Sequence, residues 1–358
     1  MGNYFKNFIF LLIFFCASLQ SDNYSYSDLL KVCSSGQVKA LKEVNAYLRF
    51  DADIVFQSLE GGLTAAKVYS FEIQDKKFVL RFLDIKHSKR KRENEIYALK
   101  IGDQLKISPS YVFSDKNAFL TVMSFIEGHA LHQPSESQLK NLGKMLKKLH
   151  NYSDFYPIKD SLIERLKRYY QKGIKSKIAY PTGFDQEIRA TLNKPCLHSL
   201  APSHGDLNPY NILINDFNGK INIIDWTTAT LDDPFADLSY FCLLSNLTVT
   251  QEKIFLTSYL GRAASKKELQ TLKENKGIVC LLKAALWFQF SETDKERMLP
   301  HATRISSLDT KLYSSTLKSF QDYLAEQDVV NFYTAPKSEV KSYALSFYKA
   351  YLESKTMD

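Results

Sequence analysis

One segment, SHGDLNPYNILINDFNGKINIIDW at residues 203–226, constrains the fold more than any other part of the chain. Two apolar runs flank Asn218-Gly219, a dipeptide typical of tight turns between antiparallel strands. Asn211 begins the first run and Asp225 ends the second. In such a hairpin, the start of one strand lies beside the end of the next. The pattern therefore predicts that Asn211 and Asp225 lie close together, with Asp206 on the loop just before them.

These three side chains suit one kind of chemistry. Asp206 and Asn211 are spaced as in the H-R-D-x-x-x-x-N pattern of protein kinases, with Gly205 in place of the Arg. Carboxylate and amide oxygens are hard ligands of the kind that Mg²⁺ prefers when it also holds phosphates. Phosphoryl transfer needs mainly positioning, charge neutralisation and an oriented nucleophile. We therefore predict Asp206 as base or orienter of a substrate hydroxyl, and Asn211 and Asp225 as Mg²⁺ ligands. For any single Asp, the alternative is a helix cap or a turn.

The composition is that of a soluble globular protein and narrows the choice of partners. Among 358 residues, 45% are hydrophobic and 24% are charged, which leaves ample material for a core. The 47 Lys and Arg residues against 39 Asp and Glu residues give a net charge of +8, which favours anionic partners such as nucleotides. The excess is too diffuse to indicate nucleic acid. The five cysteines show no metal-binding spacing and indicate reduced thiols.

The first residues form an apolar run, FIFLLIFFCA, preceded by Lys6. The run has the length of a signal-peptide core and is short for a membrane span. It predicts a signal-like or membrane-associating segment. A buried or interfacial helix and a translation start placed too far upstream are the alternatives. Because a kinase needs ATP, we expect a cytoplasmic protein, with attachment to the membrane face as a variant and export through a cleaved signal peptide as the alternative.

The rest of the chain is first rich in strands and then mostly helical, which predicts an α+β protein. Short apolar runs with one helical segment precede residue 128, and helical periodicity dominates after it. The predicted organisation is a signal-like segment (1–20), a linker and helix (21–48), an N-lobe (49–128) and a helical C-lobe that carries the catalytic loop and the C-terminal helices (129–358).

The segments HGDLNPYNILI, IIDW and LDDPFADLSYF resemble the family of aminoglycoside phosphotransferases and choline/ethanolamine kinases. The resemblance implies a bilobal protein-kinase-like fold, with a small β-rich N-lobe and a larger helical C-lobe with a catalytic hairpin. It also implies transfer of phosphate from ATP, with Mg²⁺, to the hydroxyl of a small molecule. By matching position, Asp206 is the catalytic residue, Asn211 and Asp225 bind metal, His204 is a scaffold residue, and Asp237 braces the catalytic loop.

The resemblance extends to the nucleotide site of the N-lobe. LEGGLTAAKVYSFEI is similar to the nucleotide loop of the choline kinases, where Gly61 and Gly62 admit the phosphates and Thr64 adds a hydroxyl. Ala65 departs from the usual Asn of that loop. A plain hairpin turn is the alternative for the Gly-Gly pair alone.

Three further N-lobe positions follow from the same resemblance. FVLRFL is similar to the strand that carries the phosphate-binding cation, here Arg81, and RENEIYAL to the helix that carries its partner, Glu95, with Glu93 as the fallback. An exposed surface ion pair is the alternative. VMSFIEGHAL is similar to the hinge, whose backbone would hold adenine at residues Ser124, Phe125 and Ile126.

The acceptor is predicted to be a small hydroxylated amine, most simply an amino alcohol such as choline or ethanolamine. Trp287 lies where relatives carry tryptophans around the substrate amine, and an aromatic face attracts an ammonium group; a core residue is the alternative. Asp233 could instead form an acidic patch with Asp232 and Glu292 for an aminoglycoside or another polyamine. Thiamine and sugar kinases of the family stay open.

Two other hypotheses compete with a small-molecule kinase. A catalytically silent kinase-fold protein would only bind a partner or a membrane, although the chain keeps all three catalytic positions. A protein kinase is disfavoured, because only a short stretch separates Asp225 from Asp237 and no A-P-E segment follows.

Overall fold

A computed structural model describes residues 22–51, 53–59, 67–155, 157–193, 199–292 and 337–356. The chain forms two compact units. The described residues within 1–134 and 209–229 make up the first, here called the sheet unit, and those within 135–208 and 230–358 the second, called the helical unit. The catalytic hairpin is thus grouped with the sheet unit, although its preceding loop belongs to the helical unit.

Eleven strands and ten α-helices lie in the described ranges. The strands are β1 (Asn23–Ser25), β2 (Val55–Ser58), β3 (Val68–Ile73), β4 (Lys76–Phe82), β5 (Tyr111–Ser114), β6 (Leu120–Ser124), β7 (Gly128–Ala130), β8 (Ala201–Ser203), β9 (Ile212–Asn215), β10 (Ile221–Ile223) and β11 (Thr230–Asp232). The helices are α1 (Tyr26–Val32), α2 (Ser35–Leu48), α3 (Lys89–Gln104), α4 (Glu136–His150), α5 (Leu162–Lys175), α6 (Phe184–Leu192), α7 (Pro234–Leu244), α8 (Val249–Leu260), α9 (Lys266–Glu292) and α10 (Lys337–Thr356). None of these helices combines the length and apolarity needed to cross a membrane.

The sheet unit is built on an antiparallel six-stranded sheet in the order β1-β2-β3-β4-β6-β5. The polar stretch at residues 21–28 was predicted as a linker, but residues 23–28 form β1 and the start of α1. Ser25 caps α1 and Ser34 caps α2, each through a capping box. The second cap also divides the single helix expected near residues 28–48 into two. Leu29 and Leu41 are fully buried in the core of the sheet unit.

The hairpin predicted around Asn218-Gly219 is confirmed. β9 and β10 pair antiparallel with Ile212 opposite Ile223, and Gly219 takes a left-handed conformation at φ +66° in the turn. β7 pairs with the other edge of β9. A Cβ on Gly128 of β7 would lie 2.0 Å from a backbone oxygen of β9, so only glycine permits this pairing.

The helical unit begins as its sequence predicts. Ser135 caps α4 with a capping box, and one face of α4 is buried through Leu139, Leu142, Leu146 and Leu149. The 27-residue α9 packs against α5, α7 and α10. β8 and β11 form a short antiparallel ladder, which fixes the backbone just before the catalytic loop.

Candidate active site

The hairpin brings Asn211 and Asp225 together within the sheet unit. The N–H of Ile224, the neighbour of Asp225, donates to the carbonyl of Asn211 at 2.9 Å. Asp225 itself has a left-handed backbone at φ +59°, an uncommon conformation for a residue other than glycine. Such positions cluster at functional sites, where surrounding contacts hold the strained backbone. The two predicted metal ligands therefore share one end of the hairpin.

Arg81 occupies the centre of a buried polar network in the same unit. Its Nε donates to Glu95 Oε1 at 2.8 Å, and its Nη2 donates to Asp225 Oδ1 at 3.0 Å. The side chains of Arg81 and Glu95 are only 13% and 8% exposed, so this is not the surface pair that was the alternative. The fallback Glu93 instead makes an exposed pair with Lys89 at 3.6 Å. The structure thus selects Glu95 as the partner of Arg81.

Opposing effects set the charges in this network. Burial alone disfavours the charged guanidinium, but Asp225 and Glu95 outweigh it, so the pKa of Arg81 is raised. Burial also raises the pKa of Glu95, against the opposing effect of Arg81. The arginine is therefore a permanent cation that ties strand β4 to helix α3 and to the predicted metal ligand.

Thr227 is a member of this network that the sequence did not reveal. Its hydroxyl donates to Asp225 Oδ1 at 2.5 Å and accepts from Arg81 Nη2 at 2.9 Å. Nearby, Trp226 Nε1 donates to Ser108 Oγ at 2.9 Å, and Asn94 Nδ2 donates to the carbonyl of Ala229 at 2.8 Å. The segment after Asp225 is thus anchored at several points. A hydroxyl two residues after the Asp is the only sequence signal for Thr227.

The hinge positions differ in their backbone hydrogen bonding. The N–H of Ser124 donates to the carbonyl of Ser110 at 2.9 Å, and the N–H of Phe125 donates to that of Lys77 at 3.0 Å. Both groups are therefore engaged inside the sheet unit. Of the three predicted hinge positions, Ile126 has the only N–H not engaged by another described residue, so among these N–H groups it is the one that could donate to adenine.

The predicted nucleotide loop, with Gly61, Gly62 and Thr64, lies outside the described residues, as does the N-terminal apolar run. The strands on either side of the loop are described. The N–H of Leu59 donates to the carbonyl of Val68 at 2.8 Å, which extends the β2–β3 ladder toward the loop. The glycine and threonine roles stay predictions.

In the helical unit, Asp237 holds the backbone of the catalytic loop. It accepts hydrogen bonds from the N–H groups of His204 at 2.7 Å and Gly205 at 2.8 Å. His150 Nε2 donates to the same carboxylate at 3.3 Å. Burial alone would raise the pKa of Asp237, but these hydrogen bonds and the nearby imidazoles hold that pKa below its ordinary value. His204 is fully buried and contributes to the loop as a scaffold residue.

A second buried group, Arg165 of α5, holds the same loop from another side. Its Nη1 donates to the carbonyl of Gly205, whose left-handed backbone at φ +82° suits glycine. Arg165 also lies 3.6 Å from Asp232, and both side chains are almost completely buried. Burial raises the pKa of Asp232 to about 7. Asp232 is therefore an interior residue and does not form the acidic surface patch considered for an aminoglycoside.

Asp206 itself stays partly open to solvent, with 30% of its side chain exposed. Its Oδ2 lies 3.3 Å from Asn208 Nδ2, and its Oδ1 accepts from Lys283 Nζ at 3.0 Å. Lys283 belongs to α9 and no motif predicted it. The loop thus presents a carboxylate that is held in place and still accessible.

The two residues predicted to bind the acceptor, Trp287 and Asp233, both make contacts that stabilise the helical unit. Trp287 is only 4% exposed and packs edge-to-face against Tyr343 of α10, with ring centroids 4.9 Å apart. This burial favours the core interpretation. Asp233 accepts from the N–H of Phe235 at 2.8 Å and caps α7 ahead of Pro234.

The donor set of the hairpin fits Mg²⁺. Within the described ranges, no three His, Cys, Asp or Glu side chains cluster as a ready-made metal site. Mg²⁺ is usually bound through one or two carboxylates together with substrate phosphates and waters. One amide and one carboxylate at the same end of a hairpin, Asn211 and Asp225, are the hard oxygen donors that this mode requires.

Comparison with known proteins places the chain in a family. Residues 55–272, more than half of the chain, match the phosphotransferase enzyme family. The chain is 34% identical over 163 residues to a LicA homolog from Metamycoplasma hominis, an alignment that covers 44% of this chain and 62% of that protein. The chain thus matches less than two thirds of the length of this relative.

Two solved structures share the fold. Choline kinase LicA from Streptococcus pneumoniae aligns with a TM-score of 0.56 at 20% identity, over 89% of this chain and 99% of that one. Macrolide 2′-phosphotransferase MphH from Brachybacterium faecium aligns with a TM-score of 0.54 at 18% identity, over 73% and 98%. The predicted protein-kinase-like fold and the family resemblance are confirmed. The chain belongs to the phosphotransferase enzyme family.

Proposed function

We propose that the protein is an ATP- and Mg²⁺-dependent small-molecule kinase that transfers the γ-phosphate to a hydroxyl group. The observation that carries the proposal is Asp206, a partly exposed carboxylate on a loop whose backbone is held by Asp237. Family membership supplies the reaction class. A catalytically silent protein would have no need to keep this carboxylate both accessible and held in place.

The residues of the two units take different roles in this proposal. Asp206 orients the acceptor hydroxyl and accepts its proton as the phosphoryl group is transferred. Arg81, held by Glu95, binds the nucleotide phosphates, and Ile126 contacts adenine through its backbone. Asn211 and Asp225 would hold Mg²⁺, which supplies charge neutralisation for the phosphate oxygens when bound.

For the acceptor, we propose an amino alcohol, with choline first and ethanolamine second. The support is similarity to a LicA homolog and a shared fold with a protein named choline kinase LicA. The fold alone supports several acceptors, because a macrolide phosphotransferase aligns about as well. Aminoglycosides, thiamine and sugars are therefore included in the test.

The test is an ADP-release screen on the purified chain with Mg-ATP and each acceptor. We expect turnover with choline or ethanolamine, and loss of nearly all of it in Asp206→Asn, because the oriented base is removed. Turnover only with an aminoglycoside, thiamine or a sugar would support the proposed kinase activity but contradict the proposed acceptor. Absence of Mg-ATP binding at millimolar nucleotide would support the silent-protein alternative.

Since the reaction consumes ATP, we propose that the protein works in the cytoplasm. Recovery of the full-length chain in a soluble or membrane-pelleted cell fraction, with its N-terminal residues intact, would support this. Recovery of a shortened chain outside the cell would support export.

A further inference from the structure

Lys283 is a lysine in the middle of α9 whose ammonium meets the proposed catalytic carboxylate. Its Nζ lies 3.0 Å from Asp206 Oδ1, and its side chain is only 16% exposed. The same ammonium lies 5.1 Å from the ring centroid of Tyr240, a distance suited to a cation–π contact. Lysine is seldom this buried without a partner, so the contact with Asp206 accounts for its position.

The contact joins two charged groups, not a neutral amine to a carboxylate. Burial disfavours the ammonium, but Asp206 and Tyr240 outweigh that effect, and the pKa of Lys283 is raised. Breaking such a largely buried ion pair is costly, because removal of either group leaves the other charge uncompensated.

Packing of α9 holds the backbone of Lys283 in a fixed position. Its neighbours Leu282 and Ala284 are almost completely buried, and α9 packs along α5, α7 and α10. The carboxylate receives a second contact from Asn208, on its other oxygen, at 3.3 Å. Contacts on both oxygens restrict the rotation of the carboxylate. Each oxygen can accept a further hydrogen bond, so a substrate hydroxyl still finds an acceptor there.

We propose that Lys283 is a positioning residue that fixes the orientation of Asp206 for the acceptor hydroxyl. This inference rests on the proposed kinase function. It assigns to Lys283 an effect on turnover that acts through Asp206, and no direct contact with the nucleotide. Reaction rates depend steeply on such positioning, and a displacement of about 1 Å can cost about 100-fold.

The same helix supplies a matched control. Lys276 lies two turns earlier on α9 and also forms a largely buried ion pair, at 2.5 Å from Glu252. Its side chain is 26% exposed. Replacing Lys276 by Met removes a comparable charge pair from the same helix but leaves Asp206 untouched. If loss of a buried lysine from α9 acts only through protein stability, both variants should therefore show the effect.

The experiment compares Lys283→Met, Lys283→Arg and Lys276→Met with the unmodified chain, with the acceptor found in the ADP-release screen. For Lys283→Met we expect kcat to fall about 10- to 100-fold, with the acceptor KM and the Mg-ATP Kd changed less than about twofold. Lys276→Met should keep kcat within about twofold. Lys283→Arg, which keeps the charge, should recover most of the lost turnover. In an Asp206→Asn background, Lys283→Met should cause no further loss.

A kcat for Lys283→Met no lower than that of Lys276→Met would overturn the inference. The inference would also be overturned if Lys283→Arg folded but had a kcat as low as that of Lys283→Met. The loss of turnover would then depend on the shape of the side chain and not on its charge. If the unmodified chain releases no ADP with any acceptor, the proposed function fails and the positioning role fails with it. Thermal unfolding of Lys283→Met, Asp206→Asn and the double variant then tests only whether Lys283 and Asp206 are coupled. Additive changes in Tm would refute the pair, and non-additive changes would support it.

Discussion

At the residue scale, the sheet unit depends on one guanidinium that joins three acceptors. Arg81 reaches Glu95, Asp225 and Thr227 at once because its N–H groups form a planar fork. A lysine ammonium is a single point of charge and cannot span these partners with the same geometry. The identity of the cation, and not only its charge, should therefore matter at this position.

We predict that Arg81→Lys weakens Mg-ATP binding by about 10-fold or more, because charge-assisted hydrogen bonds contribute about 1.5–3 kcal/mol each. Isothermal titration with Mg-ATP measures the change. Lys76→Met, an exposed position on the same strand, is the control and should bind normally. Equal affinity in Arg81→Lys and the unmodified chain would contradict the proposed role.

Asp237 gives a second prediction, in the pH dependence of stability. Its pKa in the folded protein lies below the ordinary value of 3.8, so the unfolded chain binds more protons in that range. The stabilisation is therefore present above about pH 4 and is lost as the pH falls through the lower, folded pKa. We expect Asp237→Asn to lose about 2 kcal/mol at pH 7 and to show a shallower acid slope in urea unfolding. A slope equal to that of the unmodified chain would rule out this account.

The sequence predicted some of these residues and not others, for a physical reason. Asn211 and Asp225 are joined by a short hairpin, so local turn rules bring them together. Arg81 and Glu95 were predicted through the resemblance. Lys283 lies 77 positions from Asp206, and their meeting depends on how α9 packs, which no short-range pattern encodes. Thr227 was missed because a hydroxyl after an Asp has many possible uses.

At the scale of elements, α10 gives part of the C-terminal segment, which carries no recognised sequence motif, a structural role. It packs along α9, where the ring of Tyr343 lies 4.9 Å from that of Trp287. Within α10, the ring of Tyr343 also lies 4.9 Å from that of Phe347. Phe347 is only 1% exposed. The apolar stretch of α9 around Trp287 is thus covered by another helix of the same unit. This long-range pairing also explains why Trp287 could not be assigned from sequence.

We predict that Phe347→Ala lowers the free energy of unfolding by about 3–5 kcal/mol, because it removes a buried ring of α10 and leaves a cavity. Chemical denaturation measures the change. Lys349→Ala on the same helix, whose side chain is 28% exposed, is the control and should stay within about 0.5 kcal/mol. A small effect at Phe347 would mean that α10 adds little to the unit.

At the scale of the whole molecule, the core of the sheet unit begins well before the family match at residue 55. Leu29, Leu41 and Val44 are fully buried against strands of the sheet, and β1 pairs with β2. The polar composition of residues 21–28 suggested a linker, because helix caps and linkers use the same residue types. Only the buried leucines and the strand pairing distinguish the two.

We predict that a chain starting at residue 51 is strongly destabilised, since it leaves the opposing face of the sheet without its packing partners. A chain starting at residue 22 keeps them. Circular dichroism during thermal unfolding compares the two with the full chain. Equal Tm values for the chains starting at 22 and 51 would contradict the assignment of residues 23–50 to the core.

The backbone of Gly205 has a wider consequence. Its N–H is held by Asp237 and its carbonyl by Arg165, both buried, and its side chain is only a hydrogen atom. The backbone of the catalytic loop is thus held by interior groups of the helical unit. We expect the loop to hold this conformation without covalent modification, in contrast to activation loops that phosphorylation orders.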